Sequence, residues 1–504
     1  MKLATAAEMQ KLDRLAIEQA GIPSTTLMTN AAAHIAELAK EVMGENKHAL
    51  IFCGSGNNGG DGIATAVALM KDGYSVRVCL VTEREKLSED AREMERRLEE
   101  LGGALETFDP KFFHADTFTD TPGVIIDAIF GIGLNAEVQG NAEDTIGFIN
   151  EITCGYPVSP VISVDIASGI EADTGRILGT AVEADYTVTF TLPKPGSFVG
   201  QGILYAGEVK IVNIGIPKSL IVPPTKTHLI TANRVSLPAR HHLMHKGNAG
   251  KLLLIGGSVG YTGALTLAAK AALRSGAGLV FMGVPEEIYP IVAAQNLEAM
   301  PFPLPSTNGK ISKEALPIIL ERLQGMDKLL IGPGMGQSPE LDELVCDLIR
   351  TSEVPIILDA DGLNAVSRHI DVLDEIPPYR RPILTPHDGE FARLGGDLSH
   401  GDRLKAARDF VRRHNCTLVL KGPGTIIAVS AGTVFVNTTG NPGMATGGSG
   451  DVLAGMIATL SPITTAVWAH GKAGDLAAEA LGEYSMLPSD LLDYIPEVLK
   501  SITR

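Results

Sequence analysis

Cysteine pairing is the first thing missing. The five cysteines, Cys53, Cys79, Cys154, Cys346 and Cys416, are odd in number and form no C-x-x-C, which excludes a disulfide framework and a zinc knuckle and makes a reducing cytosol the expected setting. Positive charge is also short: 42 Lys and Arg stand against 59 Asp and Glu, a net charge of −17. Nucleic acid and anionic membrane both require a basic field, so neither is an expected partner, and any polyanion must be held locally. No apolar run approaches about 18 residues, and Glu8, Asp13 and Glu18 interrupt the N-terminal stretch where a signal peptide needs an uncharged core. The expectation is a soluble, cytoplasmic protein. A G-x-x-x-x-G-K-[ST] sequence is absent too, which excludes a P-loop ATPase.

Glycine is abundant instead, 55 of 504 residues with no G-x-y period, which means many special turns and not collagen. With 45% hydrophobic residues the chain can bury large cores, and at roughly 150 residues per domain it should hold two to four of them. Thr5-x-x-Glu8 reads as a capping box opening a helix with Met9, Leu12, Ala16 and Ile17 on one face, and a second helix runs from about Thr26 to Met43. Short apolar runs then alternate with helical patterns: 49–53, 76–81, 123–127, 161–165, 186–190 and 209–214. This rhythm predicts a doubly wound parallel sheet. It breaks between about Pro217 and Gly250, a stretch holding Pro223, Pro224 and Pro238, and restarts at 251–256, 278–282, 328–332, 355–359, 382–385, 417–421 and 426–429, with an Ala-rich helix at 264–274. We expect two α/β domains, 1–225 and 226–504, different in fold because no repeat relates them.

In the first domain, Gly54-Ser-Gly56-Asn57-Asn58-Gly59-Gly60-Asp61 follows a strand and opens a helix, the context of a dinucleotide loop, with Glu83 beyond the next strand as a ribose acceptor. The plainer reading is a tight turn with Asp61 as helix cap. Two further strands end in acids, Asp127 and Asp165, the latter followed by Ser168. A parallel sheet gathers its strand ends on one edge, so Asn58, Asp127, Asp165 and Ser168 can meet in one crevice. One amide, one carboxylate, one hydroxyl and nearby carbonyls make a low-charge oxygen cage suited to a monovalent cation.

In the second domain, five glycines between 440 and 450 deliver the chain into the helix from Val452 to Leu460. Such a run aims several N–H groups at one point and forms an anion site for a phosphoryl group. Asp451 stands in that positive end, where the helix dipole favours its ionised form, and is the expected general base. Lys421-Gly-Pro-Gly-Thr425 adds a cation and turn N–H groups for a nucleotide's phosphates. His241, His242 and His245 have no matched carboxylate or cysteine and are not read as a metal site.

NNGGD (57–61), DAIFGIGL (127–134) and VDIASG (164–169), followed by HKG (245–247), TPHDGE (385–390), KGPGT (421–425) and NPGMATGGSGD (441–451), resemble in that order the bifunctional NAD(P)H-hydrate repair enzymes over nearly the whole chain. The resemblance implies an N-terminal Rossmann-like epimerase acting on (R)- and (S)-NAD(P)HX, and a C-terminal ribokinase-like dehydratase converting (S)-NAD(P)HX to NAD(P)H at the expense of ADP. One departure is Ala167, where the family commonly has proline. For the epimerase it implies K+ at Asn58, Asp127 and Ser168, with the hydrate touching Asn57, Asn58, Gly59, Gly60, Asp61, Gly131, Ile132, Gly133, Leu134, Asn135, Ala136, Glu137 and Asp165. For the dehydratase it implies the hydrate at Ala264, Gly334, His387 and Asp451. ADP or ATP, with Mg2+, would lie along Lys421, Gly422, Pro423, Gly424 and Thr425, then Asn441, Pro442, Gly443, Met444, Ala445, Thr446, Gly447, Gly448, Ser449 and Gly450. Asp165 and Asp451 are the expected catalytic residues, NADHX and NADPHX the substrates, and a homo-oligomer the expected assembly. The alternative is a ribokinase-type metabolite kinase fused to a nucleotide-sensing domain.

Overall fold

The computed structural model describes residues 1–108, 122–153, 159–221 and 226–504; Cys154, Pro223, Pro224 and the expected boundary near 225 lie outside the described residues. The chain divides into two compact units, Lys2–Thr225 and, with Met1, Lys226–Arg504.

In the first unit Thr5 caps α1 (Ala6–Glu18) as its spacing predicts: the Glu8 N–H donates to Thr5 Oγ1 at 3.3 Å and the Thr5 N–H to Glu8 Oε2 at 2.9 Å. Next come α2 (Ser24–Met43), β1 (His48–Cys53), α3 (Asn57–Lys71), β2 (Ser75–Leu80), α4 (Glu89–Glu100), β3 (Leu105–Thr107), β4 (Val124–Ala128), α5 (Asn141–Thr153), β5 (Val161–Val164), β6 (Tyr186–Phe190) and β7 (Glu208–Val212). The seven strands are parallel, in the order β3-β2-β1-β4-β5-β6-β7. Both faces of the central strands are buried, so they read as unbroken apolar runs. Ile35, Ile51, Ile63, Leu69 and Ile126 fill one side; Leu50, Phe52, Phe108, Ile125, Ile146 and Phe148 fill the other. The chain winds outward from β1 to β3 and returns to lay β4 on the other side of β1. Between the ends of β1 and β4 the following segments diverge and leave the crevice where such folds hold ligands.

Glycine permits the close approach there. A Cβ on Gly54 would stand 2.0 Å from the Ile129 carbonyl oxygen at the exit of β4, and one on Gly59 would stand 1.8 Å from the Gly54 carbonyl oxygen. Neither clash can be relieved by a side-chain rotation, because the opposing atom is backbone. Gly59→Ala is expected to destabilise the first unit by at least about 1–3 kcal/mol, the usual cost of overpacking. The check is a lowered melting transition of that unit alone; an unchanged transition would show that the loop yields more easily than its packing implies.

The second unit contains β8 (Thr227–Leu229), β9 (Lys251–Ile255), α6 (Gly263–Arg274), β10 (Leu279–Pro285), α7 (Tyr289–Gln295), β11 (Met300–Leu304), β12 (Ser306–Thr307), β13 (Lys310–Ile311), α8 (Leu316–Leu323), β14 (Lys328–Ile331), α9 (Pro339–Thr351), β15 (Ile356–Leu358), α10 (Asp361–Ser367), β16 (Ile383–Leu384), α11 (Asp388–Arg393), α12 (Arg403–Arg413), β17 (Thr417–Leu420), β18 (Ile426–Ala428), β19 (Val434–Val436), α13 (Ser449–Thr459), α14 (Ile463–Leu481) and α15 (Pro488–Ile502). Ten strands form one sheet in the order β11-β10-β9-β14-β15-β16-β17-β18-β19-β8. From β11 to β17 neighbours are parallel; β18 pairs antiparallel with both β17 and β19. The two units are thus different α/β folds, as expected. α13 opens at Ser449, three residues before the predicted start, so Ser449, Gly450 and Asp451 form its first turn. Gly455 lets α13 press onto α6, since a Cβ there would stand 2.1 Å from the Ala268 carbonyl oxygen.

Candidate active sites

In the first unit a cavity of about 740 Å³ opens at the crevice between β1 and β4, a size typical of ligand sites. Its wall includes Asn57, Asn58 and Asp61 from the start of α3, the whole run Gly131–Glu137, and Asp165 beyond β5. Gly59 and Gly60, in the first turns of α3, do not line it. Asp61 is no helix cap, because Gly56 holds that position. Glu83 pairs with Lys86 at 3.0 Å, is largely exposed and does not line the cavity, so it is not placed as a ribose acceptor.

Asp165 has φ of +67°, a left-handed backbone that costs a non-glycine residue about 1–3 kcal/mol and persists only where surroundings enforce it. The surroundings do so here. The Asp165 N–H donates to the Val188 carbonyl at 2.8 Å, and Asp165 Oδ1 accepts from the Phe190 N–H and Thr189 Oγ1, each at 3.2 Å. Oδ1 also accepts from the Lys194 ammonium, whose side chain is only 1% exposed. Lys194 donates further to Thr189 Oγ1 at 3.1 Å. Lys194 was missed by sequence reasoning; its one signal is a lysine locked between Pro193 and Pro195 just beyond β6.

Asp127 is fully buried. Its carboxylate accepts from Ser163 Oγ at 2.7 Å, the Ser168 N–H at 2.9 Å, Ser168 Oγ at 2.5 Å and the Ile129 N–H at 3.2 Å. These donors are all neutral. Burial pushes the carboxyl up from its ordinary value, and the bonds from Ser168, Ser163 and Ile129 hold it back. Asn58 packs against the loop that follows β4: its Oδ1 lies 3.0 Å from where a Cβ on Gly131 would be, and its buried Nδ2 has no hydrogen-bond partner. A buried carboxyl without a counter-charge, beside a serine hydroxyl and the Asn58 carboxamide oxygen, is an oxygen set that fits a weakly held monovalent cation; the unpartnered Nδ2 is a donor and takes no part in it. Among the described residues no three His, Cys, Asp or Glu side chains group as a metal site.

In the second unit the ends of β15, β16 and β17 converge. Asp359, 2% exposed, accepts from Thr385 Oγ1 at 2.7 Å and from Lys421 Nζ at 2.8 Å; Lys421 also stands 3.8 Å from Glu390. Burial pulls the ammonium down, but Asp359 and Glu390 more than offset it, so it stays charged. Lys421 Nζ lies 3.3 Å from where a Cβ on Gly450 would be, placing the cation over the first turn of α13. That turn and Lys421 together make an anion cradle. Burial, then the Asp359 charge, raise the Asp451 carboxyl to about 7 against the pull of Lys421. Desolvation therefore outweighs the helix dipole that the sequence suggested would keep it ionised.

The glycine turn is braced from behind by α14. Asp475 Oδ1 accepts from the Gly440 N–H at 3.0 Å, Thr439 Oγ1 donates to the Trp468 carbonyl at 2.8 Å, and the Asn441 side chain accepts from the Gly443 N–H at 3.0 Å. His470, also on α14, lies with Nε2 3.0 Å from the Ser449 carbonyl; burial lowers it to about 4, so the neutral ring donates that bond. Ala264 and Gly334 are brought together, a Cβ on Gly334 standing 3.1 Å from that of Ala264. His387 caps α11, its Nδ1 accepting from the Gly389 N–H at 3.0 Å, while its exposed ring leaves Nε2 3.6 Å from Glu390. Gly422, Pro423, Gly424 and Thr425 form the turn between β17 and β18, with Thr425 Oγ1 donating to the Gly422 carbonyl at 2.9 Å.

Two families match in succession: residues 24–196 match the family described as YjeF-related protein N-terminus, and residues 252–497 the one described as NAD(P)H-hydrate dehydratase. The bifunctional NAD(P)H-hydrate repair enzyme of Moorella thermoacetica is 41% identical over 522 aligned positions, covering 100% of this chain and 97% of that protein. The chain belongs to the bifunctional NAD(P)H-hydrate repair enzymes. The repair enzyme of Thermofilum pendens is 38% identical, over 100% of this chain and 97% of its own. Among solved structures, an ADP/ATP-dependent NAD(P)H-hydrate dehydratase from Bacillus subtilis, co-crystallised with ATP and Mg2+, is 30% identical over 54% of this chain and 98% of its own, with a TM-score of 0.46. Membership of the repair enzymes sets aside the alternative of a kinase fused to a sensing domain. Among the described residues no helix is long and apolar enough to cross a membrane.

Proposed function

We propose that this repair enzyme divides its two reactions between its two units: 1–225 interconverts the R and S hydrates of NADH and NADPH, and 226–504 dehydrates the S form using ADP or ATP. The convergence of Asp359, Lys421 and Asp451 on the first turn of α13 carries the second assignment. Hydroxide is a poor leaving group. Asp451 removes the proton of the hydrate's C6 hydroxyl, whose oxygen attacks the terminal phosphoryl group of the nucleotide held by Lys421 and the glycine turn. The phosphorylated oxygen then departs as phosphate while the C5 proton leaves, restoring the reduced ring. Mg2+ would accompany the nucleotide's phosphates and offset their charge.

In the first unit Asp165, with its Oδ1 committed to Lys194, offers Oδ2 as the proton-exchanging atom. Asn58, Asp127 and Ser168 would hold K+, which would supply fixed positive charge beside an anionic ligand. The same reading includes a cytoplasmic, self-associating enzyme. Its four described cysteines, all free and buried, accord with a reducing compartment.

The full chain incubated with chemically hydrated NADH should interconvert both epimers without nucleotide. Adding ADP should consume both, returning the reduced cofactor with AMP and phosphate in equal amounts. Chromatography of the epimers and nucleotides reads both steps. Recovery of the reduced cofactor without AMP and phosphate would overturn the phosphoryl-transfer route.

A further inference from the structure

The cavity of the first unit presents more acid than the assigned residues account for. Met9, Gln10, Asp13 and Ile17 of α1 line it, and Asp13 is the one ionisable residue of that helix among them. Asp13 lines the same cavity as Asp61 of α3, Asp90 of α4, Glu137, Asp165 and Lys194. Among the described residues the carboxyls of Asp13 and Asp61 have no hydrogen bond or ion pair, whereas Asp90 accepts from Ser24 Oγ at 2.8 Å and Asp165 is paired with Lys194. An acid left unpartnered on the wall of a ligand cavity is available to the ligand.

We propose that Asp13 is a second acid–base residue of the epimerase site, carrying the proton on one side of the ring while Asp165 carries it on the other. This rests on the assignment of epimerisation to this cavity. Inverting C6 by loss and return of water needs a proton given to the departing hydroxyl and another taken from the incoming water. In one direction the Asp13 carboxyl protonates the C6 hydroxyl; the C6–O bond breaks as the N1 lone pair forms an N1=C6 bond, and water is released. Water adds to C6 from the opposite face, the N1=C6 pair returns to nitrogen, and the extra proton passes to Asp165. One proton has moved from Asp13 to Asp165, and exchange with solvent restores the start. The reverse reaction exchanges the two roles.

Asp13 is suited to both halves. Burial raises its carboxyl to about 6, with Asp165 raising it further and Lys194 opposing, and a group near the working pH serves as acid and base alike. Asp61 is pushed well above the ordinary range, first by burial and then by Asp165 and Asp13, with Lys194 opposing.

The test uses the full chain with hydrated NADH and no nucleotide, comparing wild type with Asp13→Asn, Asp13→Glu and Asp165→Asn. Asp13→Asn should lower kcat for interconversion about 10²-fold, the lower end of the general acid–base range, with KM little changed. It should also remove the limb near pH 6 from the kcat/KM profile, and Asp13→Glu should restore part of the rate with a limb. A merely structural role would move KM or melting temperature and leave the limb in place. Asp13→Asn within threefold of wild type, with the limb retained and Asp165→Asn inactive, would overturn the proposal while leaving the site assignment intact. Interconversion unaffected by Asp165→Asn as well would overturn the site assignment itself.

Discussion

Asp451→Asn lowers the dehydration rate of the S hydrate by about 10³-fold, within the range for loss of a positioned general base, and leaves epimerisation at the wild-type rate. The wild-type dehydration rate should climb with pH and level off above about 7, where burial and Asp359 have placed the carboxyl. In the variant that climb should vanish. Stability gives an independent reading, with the opposite sign. The native state binds the Asp451 proton more tightly than the unfolded chain does, so between about 4 and 7 the unfolded state holds fewer protons and stability falls as pH rises. Asparagine removes that fall. The variant should therefore melt higher than wild type at pH 8 and no higher at pH 4. A protein less active and less stable at every pH would mean that the substitution had disturbed the turn, and that Asp451 had not been shown to act as a base.

Lys194→Met strands the Asp165 carboxylate in a site where one oxygen has only Thr189 and Phe190 left as donors. Removing one partner of a buried pair costs about 3–5 kcal/mol. At about 2–4 °C per kcal/mol for a unit of this size, the first transition should fall by about 10 °C, and interconversion of the epimers should be lost. Lys194→Met combined with Asp165→Asn removes both charges and should regain most of the stability without regaining activity. Calorimetry on the two single variants and the double closes the cycle. A double variant as unstable as Lys194→Met alone would show that Lys194 holds the segment by packing and not by charge.

What the sequence made legible follows from parallel-sheet geometry. Asp127 and Asp165 each end a short, mostly apolar run, and once those runs are read as parallel strands of one sheet their ends must share an edge. The glycine turn at 440–450 was legible for a similar reason, because local backbone chemistry announces itself locally. Lys194 and Asp13 had no such signal. Lys194 reaches Asp165 across 29 residues, and Asp13 joins the cavity from a helix whose sequence reads as ordinary amphipathic surface, with Lys11 and Arg14 beside it. Strands β8, β12, β13 and β19, two or three residues each, were too short to carry a period. The raised carboxyl of Asp451 was likewise out of reach: the sequence gives the helix dipole, but Asp359 comes from another strand.

The matched first family begins at residue 24, and α1 ends at Glu18. A wall of the cavity therefore lies upstream of the stretch that the family model matches, although full-length relatives align over it. Fragments cut to the family's limits would keep all the strand-end acids and the glycine loop, yet would leave the ligand site open to solvent on the side where α1 stands. Screens that express only residues 24–196 would sample a shallower, wetter site, and substrate preferences measured on it would belong to the fragment.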